Sequence, residues 1–230
     1  MNISAKKLDK GTGLFIFYEA NRIGKKMKLY SYVVKCDTGF APNPFYRYCT
    51  LAACTPNHMG ICPQKGDWII GTGAVAKGNR LIYAMQVSDK MPFDQYYKNP
   101  SFERKKPVIE SKDYRRRCGD NIYYRDKAGH WQQHPSSFHN TKNQKKQDLK
   151  HPYVFIAKRF CYFGCKAKKI PREYNNLIWK RQGVKCFHDP EDIEGFLAWL
   201  HGKKTGIHGR PRDCGADWKC SRPRSSGRCQ

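Results

Sequence analysis

The sequence predicts an α+β fold: a mixed, sheet-dominated core that could close into a barrel, with peripheral helices and basic extensions at both ends. Three observations carry this. Strand-like runs follow one another without the regular strand–helix alternation of a doubly wound sheet. The hydrophobic set is 39% of 230 residues, with 19 Gly besides, which is enough to bury a core. Beyond residue 202 apolar periodicity stops and Arg, Gly, Pro, Ser and Cys take over, the composition of a mobile basic tail. The length suits one large domain with tails better than two domains. The expected division is therefore a basic extension over 1–26, one globular domain over 27–202 and a Cys/Arg-rich tail over 203–230.

In chain order, Leu14–Tyr18 is apolar enough for a strand, although flanking Gly11, Gly13 and Gly24 weaken it. Met27 looks like a second start, directly followed by the first core strand, Leu29–Val34. Pro42 and Pro44 exclude a helix or central strand from Asp37–Phe45. Asp67–Gly73 and Arg80–Val87 read as strands joined by a hairpin at Lys77-Gly78-Asn79. Phe93–Lys98 is a short helix stopped by Asn99-Pro100. A second hairpin joins Asn121–Arg125 to His130–Gln133 through Asp126–Gly129. Residues 134–150 are polar and basic and read as a loop, and Tyr153–Ala157 returns to strand. Asp189 caps a helix that starts at Pro190 and places Ile193, Phe196, Leu197 and Leu200 on one face.

Charge narrows the partners. There are 44 Lys and Arg against 19 Asp and Glu, a net +25, and most of the excess lies between residues 27 and 202. A polyanion relieves such self-repulsion, and each phosphate contact also releases condensed counterions, so nucleic acid is the leading partner. No run approaches 18 apolar residues and no secretion signal is read, so a membrane partner is not expected and a cytoplasmic address is. In a reducing compartment eleven Cys, an odd number, suit core or surface thiols, metal ligands or redox sites better than a disulfide scaffold. Cys161 and Cys165, Cys49, Cys54, Cys62 with His58, and Cys214, Cys220 and Cys229 lack the paired spacing of zinc sites. No Gly-rich nucleotide-binding motif is present. No cofactor or metal is therefore expected.

Several strings together are similar to one family. Tyr30-Ser31-Tyr32-Val33-Val34, Asp37-Thr38-Gly39-Phe40-Ala41-Pro42-Asn43-Pro44-Phe45, Tyr48-Cys49-Thr50-Leu51-Ala52, Gly66-Asp67-Trp68-Ile69, Leu81–Met85, Gly119-Asp120-Asn121-Ile122-Tyr123 and Tyr162-Phe163-Gly164 lie within the expected domain over about residues 27–202. They resemble the nucleotide-modification-associated domains of phages and bacteria, of the second type. The resemblance implies a setting in which unusual DNA bases are made, read or removed. It implies no particular reaction.

The residues themselves suggest where chemistry could sit. Asp37 and Asn43 lie on a loop stiffened by two prolines, where a carboxylate could activate water and a carboxamide could hold it or meet a base edge. Both could equally bond turn backbone. Asp120 and Asn121 repeat the pairing at a strand start, and His139 is a candidate proton shuttle in a polar loop. Enzymes that act on a base in a duplex extrude it between aromatic rings, for which Phe45, Tyr46 and Trp131 are the candidates. Arg104, Lys105, Lys106, Arg115, Arg116, Arg117, Lys145, Lys146, Lys168 and Lys169 are candidate phosphate contacts that position without reading sequence.

Three functions fit these features. The first is a DNA-binding protein that flips and excises a hypermodified base in phage–host conflict, a glycosylase. The second is a reader of the same base without catalysis. The third is a nuclease with Mg²⁺ on Asp37, Asp67 and Asp120, ranked last for want of an acid-x-Lys core.

Overall fold

Alternation along Leu29–Val33 (β1) sets the two faces of the main sheet. Leu29 and Ser31 face one side of a sheet, while Tyr30 and Tyr32 face the other, and all four are buried. The computed structural model describes residues 26–53 and 61–214; the strand expected at Leu14–Tyr18, His58, Cys54, Cys220 and Cys229 lie outside them. Among the described residues there are eleven strands, and the fold is α+β with mixed sheets.

After β1 come Cys49–Leu51 (β2), Trp68–Thr72 (β3), Leu81–Gln86 (β4) and Asp89–Pro92 (β5). Tyr123–Arg125 (β6), Trp131–Gln133 (β7), Tyr153–Ala157 (β8), Arg159–Tyr162 (β9), Val184–Phe187 (β10) and Gly206–Ile207 (β11) complete the set. The main sheet has the order β10-β1-β3-β4-β9-β11. Pairs β1/β3 and β9/β11 are parallel, and the others in this sheet antiparallel. This sheet is open, with β10 and β11 at its edges, and does not close into a barrel. A second sheet, β2-β8-β5, and the hairpin β6-β7 lie beside it.

Both faces of the main sheet are covered. On one, Leu29, Trp68, Ile70, Ala84 and Cys161 pack under the helix Pro190–His201, whose Ile193, Phe196, Leu197 and Leu200 are all buried. On the other, Tyr30, Tyr32, Ile69, Tyr83, Met85 and Tyr162 meet the Asp37–Phe45 loop and the smaller sheet. The register sets Tyr32, Gly71, Tyr83 and Tyr162 in one row across four strands. Glycine is required in that row: a Cβ on Gly71 would lie 2.3 Å from Tyr83 Cε1.

Among the described residues the α-helices are Phe93–Lys98 (α1), Tyr114–Arg117 (α2), Lys142–Asp148 (α3) and Pro190–His201 (α4). Helices α1 and α4 lie where the sequence places them, with Asp189 capping α4. Helix α3 corrects the loop expected over 134–150. Thr141 and Gln144 form a reciprocal capping box, and the turn it starts ends on the buried Asp148. Residues 203–214 are also more ordered than their composition suggests. Gly206–Ile207 pairs with β9, and Pro211 and Cys214 are buried. No described helix is long and apolar enough to cross a membrane.

Candidate functional site

The Asp37–Phe45 loop leaves the main sheet and is fixed by two polar clusters whose residues are far apart in sequence, while a third cluster meets it through the Phe40 ring. The first surrounds Asn43, which follows a cis Ala41–Pro42 bond. The Asn43 backbone exchanges hydrogen bonds with Thr50 at 2.8 and 2.9 Å. Its side-chain amide donates to the Cys118 carbonyl at 2.8 Å, and its Oδ1 accepts from the Phe45 N–H and from Lys105.

Lys105 is 1% exposed. Its ammonium reaches the Asn43 carbonyl, Asn43 Oδ1 and the Tyr48 carbonyl, each at 2.8 Å, and Thr50 Oγ1 at 3.0 Å. Thr50 in turn donates to Asp120 Oδ2 at 2.6 Å, while Tyr96 donates to Oδ1 at 2.8 Å. The hydroxyl of Thr50 therefore bridges a buried cation and a buried anion. Loss of hydration pulls the Lys105 ammonium down to about 8 against the attraction of Asp120, and pushes the Asp120 carboxyl up against the attraction of Lys105. Asn121 donates to the Tyr96 and Phe102 carbonyls. Gly119 lets this strand entry press on residues 105–107, since a Cβ there would lie 2.2 Å from the Lys105 carbonyl oxygen.

The second cluster holds Asp37, which is fully buried. It accepts a short hydrogen bond from the Tyr162 hydroxyl and another from the Arg212 N–H at 3.0 Å. Burial raises its carboxyl above the usual range, outweighing both donors. The adjoining tyrosine row continues through the Tyr32–Tyr83 hydroxyl contact of 2.8 Å.

The third cluster meets the loop through aromatic contact with Phe40. His139 Nδ1 is 2.5 Å from Asp148 Oδ2, which also accepts from the Tyr123 hydroxyl at 2.8 Å. Asp148 is 1% exposed, whereas the His139 side chain is 14% exposed. His139 has φ of +52°, a left-handed conformation that costs a non-glycine residue and that surrounding structure must enforce. Here Gln133 bonds its carbonyl, and its ring lies 5.0 Å from Phe40 of the loop, with Phe138 on the same ring at 5.4 Å.

Of the aromatic candidates, Phe45 is 2% exposed and part of the core. Tyr46 is half-buried under the Arg104 guanidinium at 4.2 Å, and Trp131 is half-buried under Arg125 at 4.3 Å. Lys105, expected to contact phosphate, is inside the protein. The Asn43, Tyr48 and Thr50 oxygens receive its ammonium there in place of phosphate. Arg104, Lys146, Lys168 and Lys169 are exposed. Lys106 and Arg115 reach Glu103 and Asp113, while Arg116, Arg117 and Lys145 each donate to a backbone carbonyl.

The structure brings Asp120 and Asn43 into one cluster through Lys105 and Thr50, and sets His139 against the loop. It holds Asp37 in a cluster of its own. Asp67 is separate, accepting from the Lys28 and Gln64 N–H groups. Among the described residues no three His, Cys, Asp or Glu side chains gather as a metal site. Sequence reasoning missed Asp148 as the partner of His139. The Thr141-x-x-Gln144 capping box was the available signal, because it starts the helix that carries that carboxylate.

Comparison with curated proteins and with solved structures finds no match to this chain. The sequence pattern of nucleotide modification associated domain 2 matches residues 26–221, which takes in the Asp37–Phe45 loop and all three clusters. With this match over most of its length, the chain belongs to the nucleotide modification associated domain 2 family.

Proposed function

We propose that this protein binds DNA containing a modified nucleobase and hydrolyses the N-glycosidic bond of that base after it leaves the helix. The family supplies the link to modified nucleotides. The observation that carries the reaction is the His139–Asp148–Tyr123 cluster, a partly exposed imidazole oriented by a buried carboxylate. With Nδ1–H donating to Asp148, the other ring nitrogen holds the lone pair needed to take a proton from water. That water adds to the sugar C1′ as the C1′–N bond breaks, and the bonding pair leaves with the base.

Asp37, Asn43, Asp120 and Asn121 serve this chemistry by position. Their hydrogen bonds run to protein groups and hold the loop that sets Phe40 against His139. Trp131 and Tyr46, each already paired with an arginine, are the rings for the extruded base. Arg104, Lys106, Arg115, Arg116, Arg117, Lys145, Lys146, Lys168 and Lys169 hold phosphates, and the net +25 supports that assignment.

One observation favours the second reading, recognition without catalysis: Asp37, Asp120 and Asp148 are all buried, so no carboxylate of the site meets solvent directly. The deciding experiment incubates the protein with plain and hypermodified phage DNA without added metal and measures alkali-labile sites. The excision reading expects such sites only in modified DNA and their loss in His139→Ala with DNA binding retained. Binding of modified DNA without any alkali-labile sites leaves the reader, and failure to retain either DNA at low salt overturns both.

A further inference from the structure

Residues 150–188 carry ten Lys or Arg and a single acid, Glu173. Among the described residues no carboxylate lies within ion-pair distance of any of the ten. Part of this segment crosses the main sheet on the α4 side. It leaves β4, where Lys168 exchanges backbone bonds with Leu81, and arrives at β1, where the Trp179 N–H donates to Ser31 Oγ at 3.1 Å. It then returns as β10, the edge strand.

Trp179 is the notable residue at that edge. It is half-buried, and its indole N–H is committed to the Gln182 carbonyl at 3.3 Å, which fixes the ring's orientation. Exposed Arg181 and Lys185 lie 6.0 and 5.7 Å from its centre. Lysine on an edge strand is an ordinary guard against strand pairing with another chain. That guard needs no oriented indole beside two cations, whereas a surface for unpaired nucleotides needs both: a flat ring for the base and nearby charge for the phosphates.

We infer that the Trp179–Arg181–Lys185 edge is a second nucleic-acid contact, where the indole stacks on an unpaired base and the two cations hold adjoining phosphates of a single strand. This rests on the nucleic-acid reading above but not on base excision. A protein that extrudes a base leaves single-stranded character beside it, and an edge of this kind would retain that strand.

The test measures fluorescence anisotropy of a labelled, unmodified oligothymidine with the full-length protein. Trp179→Ala weakens binding by about tenfold. Arg181→Ala with Lys185→Ala lowers the slope of log affinity against log salt by about 1.4, roughly 0.7 for each phosphate contact on single strands. The charge variant, being at the surface, decides the matter should Trp179→Ala fail to fold by circular dichroism. Wild-type affinity and slope in the folded variants overturn this inference alone. Absence of any oligonucleotide binding by the wild type, including the case where it binds phosphatidylserine vesicles instead, overturns the nucleic-acid reading as well.

Discussion

Asp37 and Asp213 hold each other by reciprocal hydrogen bonds across 176 residues of sequence. The Asp37 N–H donates to Asp213 Oδ2 at 2.7 Å, and the Asp213 N–H donates to the Asp37 carbonyl at 2.8 Å. The intervening Arg212 N–H adds a bond to the Asp37 carboxylate. Pro211 closes over Gly39, where φ is +76° and a Cβ would lie 2.7 Å from the proline ring. Residues 211–213 are therefore a clasp on the candidate loop.

Replacing Asp213 by Ala should lower stability by about 1–2 kcal/mol, since it leaves the Asp37 N–H without its carboxylate acceptor. The measurement is the shift in urea midpoint. A pH dependence accompanies it. Burial raises the Asp213 carboxyl, but the Asp37 N–H and the Arg212 guanidinium lower it further, and the net shift is downward. A depressed carboxyl stabilises the fold above its ordinary pKa and loses that contribution as pH falls below it. The gap between wild type and Asp213→Ala should therefore close in acid. A gap that persists unchanged there would remove the carboxylate from the explanation.

Lys105→Met should cost about 3–5 kcal/mol, because it leaves Asp120 charged, buried and without its counterion. Adding Asp120→Asn should recover part of that loss, giving a coupling of about 0.5–3 kcal/mol in a double-mutant cycle. Denaturant melts of the four proteins measure it, and strict additivity would show that the two groups do not sense each other. The ammonium is lowered to about 8 in the fold from 10.5. Between these values the unfolded chain binds more protons, so this group makes wild-type stability rise with pH there.

How much of this was legible in sequence depends on whether a signal is local. Helix α4 was readable because Asp189, Pro190 and the spacing of Ile193, Phe196, Leu197 and Leu200 lie within one segment. Strands β1, β3, β4 and β8 were readable from apolar runs bounded by turns. Lys105 was misread because nothing near it in Arg104-Lys105-Lys106 announces burial. Its acceptors are Asn43, Tyr48 and Thr50, 55 to 62 residues away. Asp37 and Asn43 were recognisable as important but not as consumed by internal bonds, since their partners Tyr162, Arg212 and Cys118 come from other parts of the chain. The clasp was hidden by composition: a basic, Gly- and Pro-rich segment reads as mobile unless its docking partner is known.

Gly71→Ala tests the tyrosine row. The added methyl would fall 2.3 Å from Tyr83 Cε1 and 2.6 Å from Val34 Cγ2, both on buried side chains. Such overpacking costs about 1–3 kcal/mol and displaces Tyr83 from the Tyr32 hydroxyl. A lowered melting temperature is expected, and an unchanged one would mean that the row has room the structure does not show.

Asp148→Asn separates orientation from binding at the proposed excision site. The amide keeps the size of the side chain but cannot accept from both the Tyr123 hydroxyl and His139 Nδ1–H on one charged oxygen, as the carboxylate does. A donor placed toward His139 Nδ1 favours the other tautomer, in which the nitrogen meant to take a proton from water already carries one. Base release from modified DNA should then fall by about 10²–10⁴-fold, the usual contribution of acid–base catalysis, with DNA affinity unchanged. Asp148 lies inside the protein at 1% exposure, so an equal loss of binding would point to a damaged fold. Tyr123→Phe supplies the control: it removes one donor to Asp148 but leaves the His139 contact, and it should reduce release less than Asp148→Asn does. Equal activity in all three proteins would take catalysis away from His139 and leave the chain a reader of modified bases.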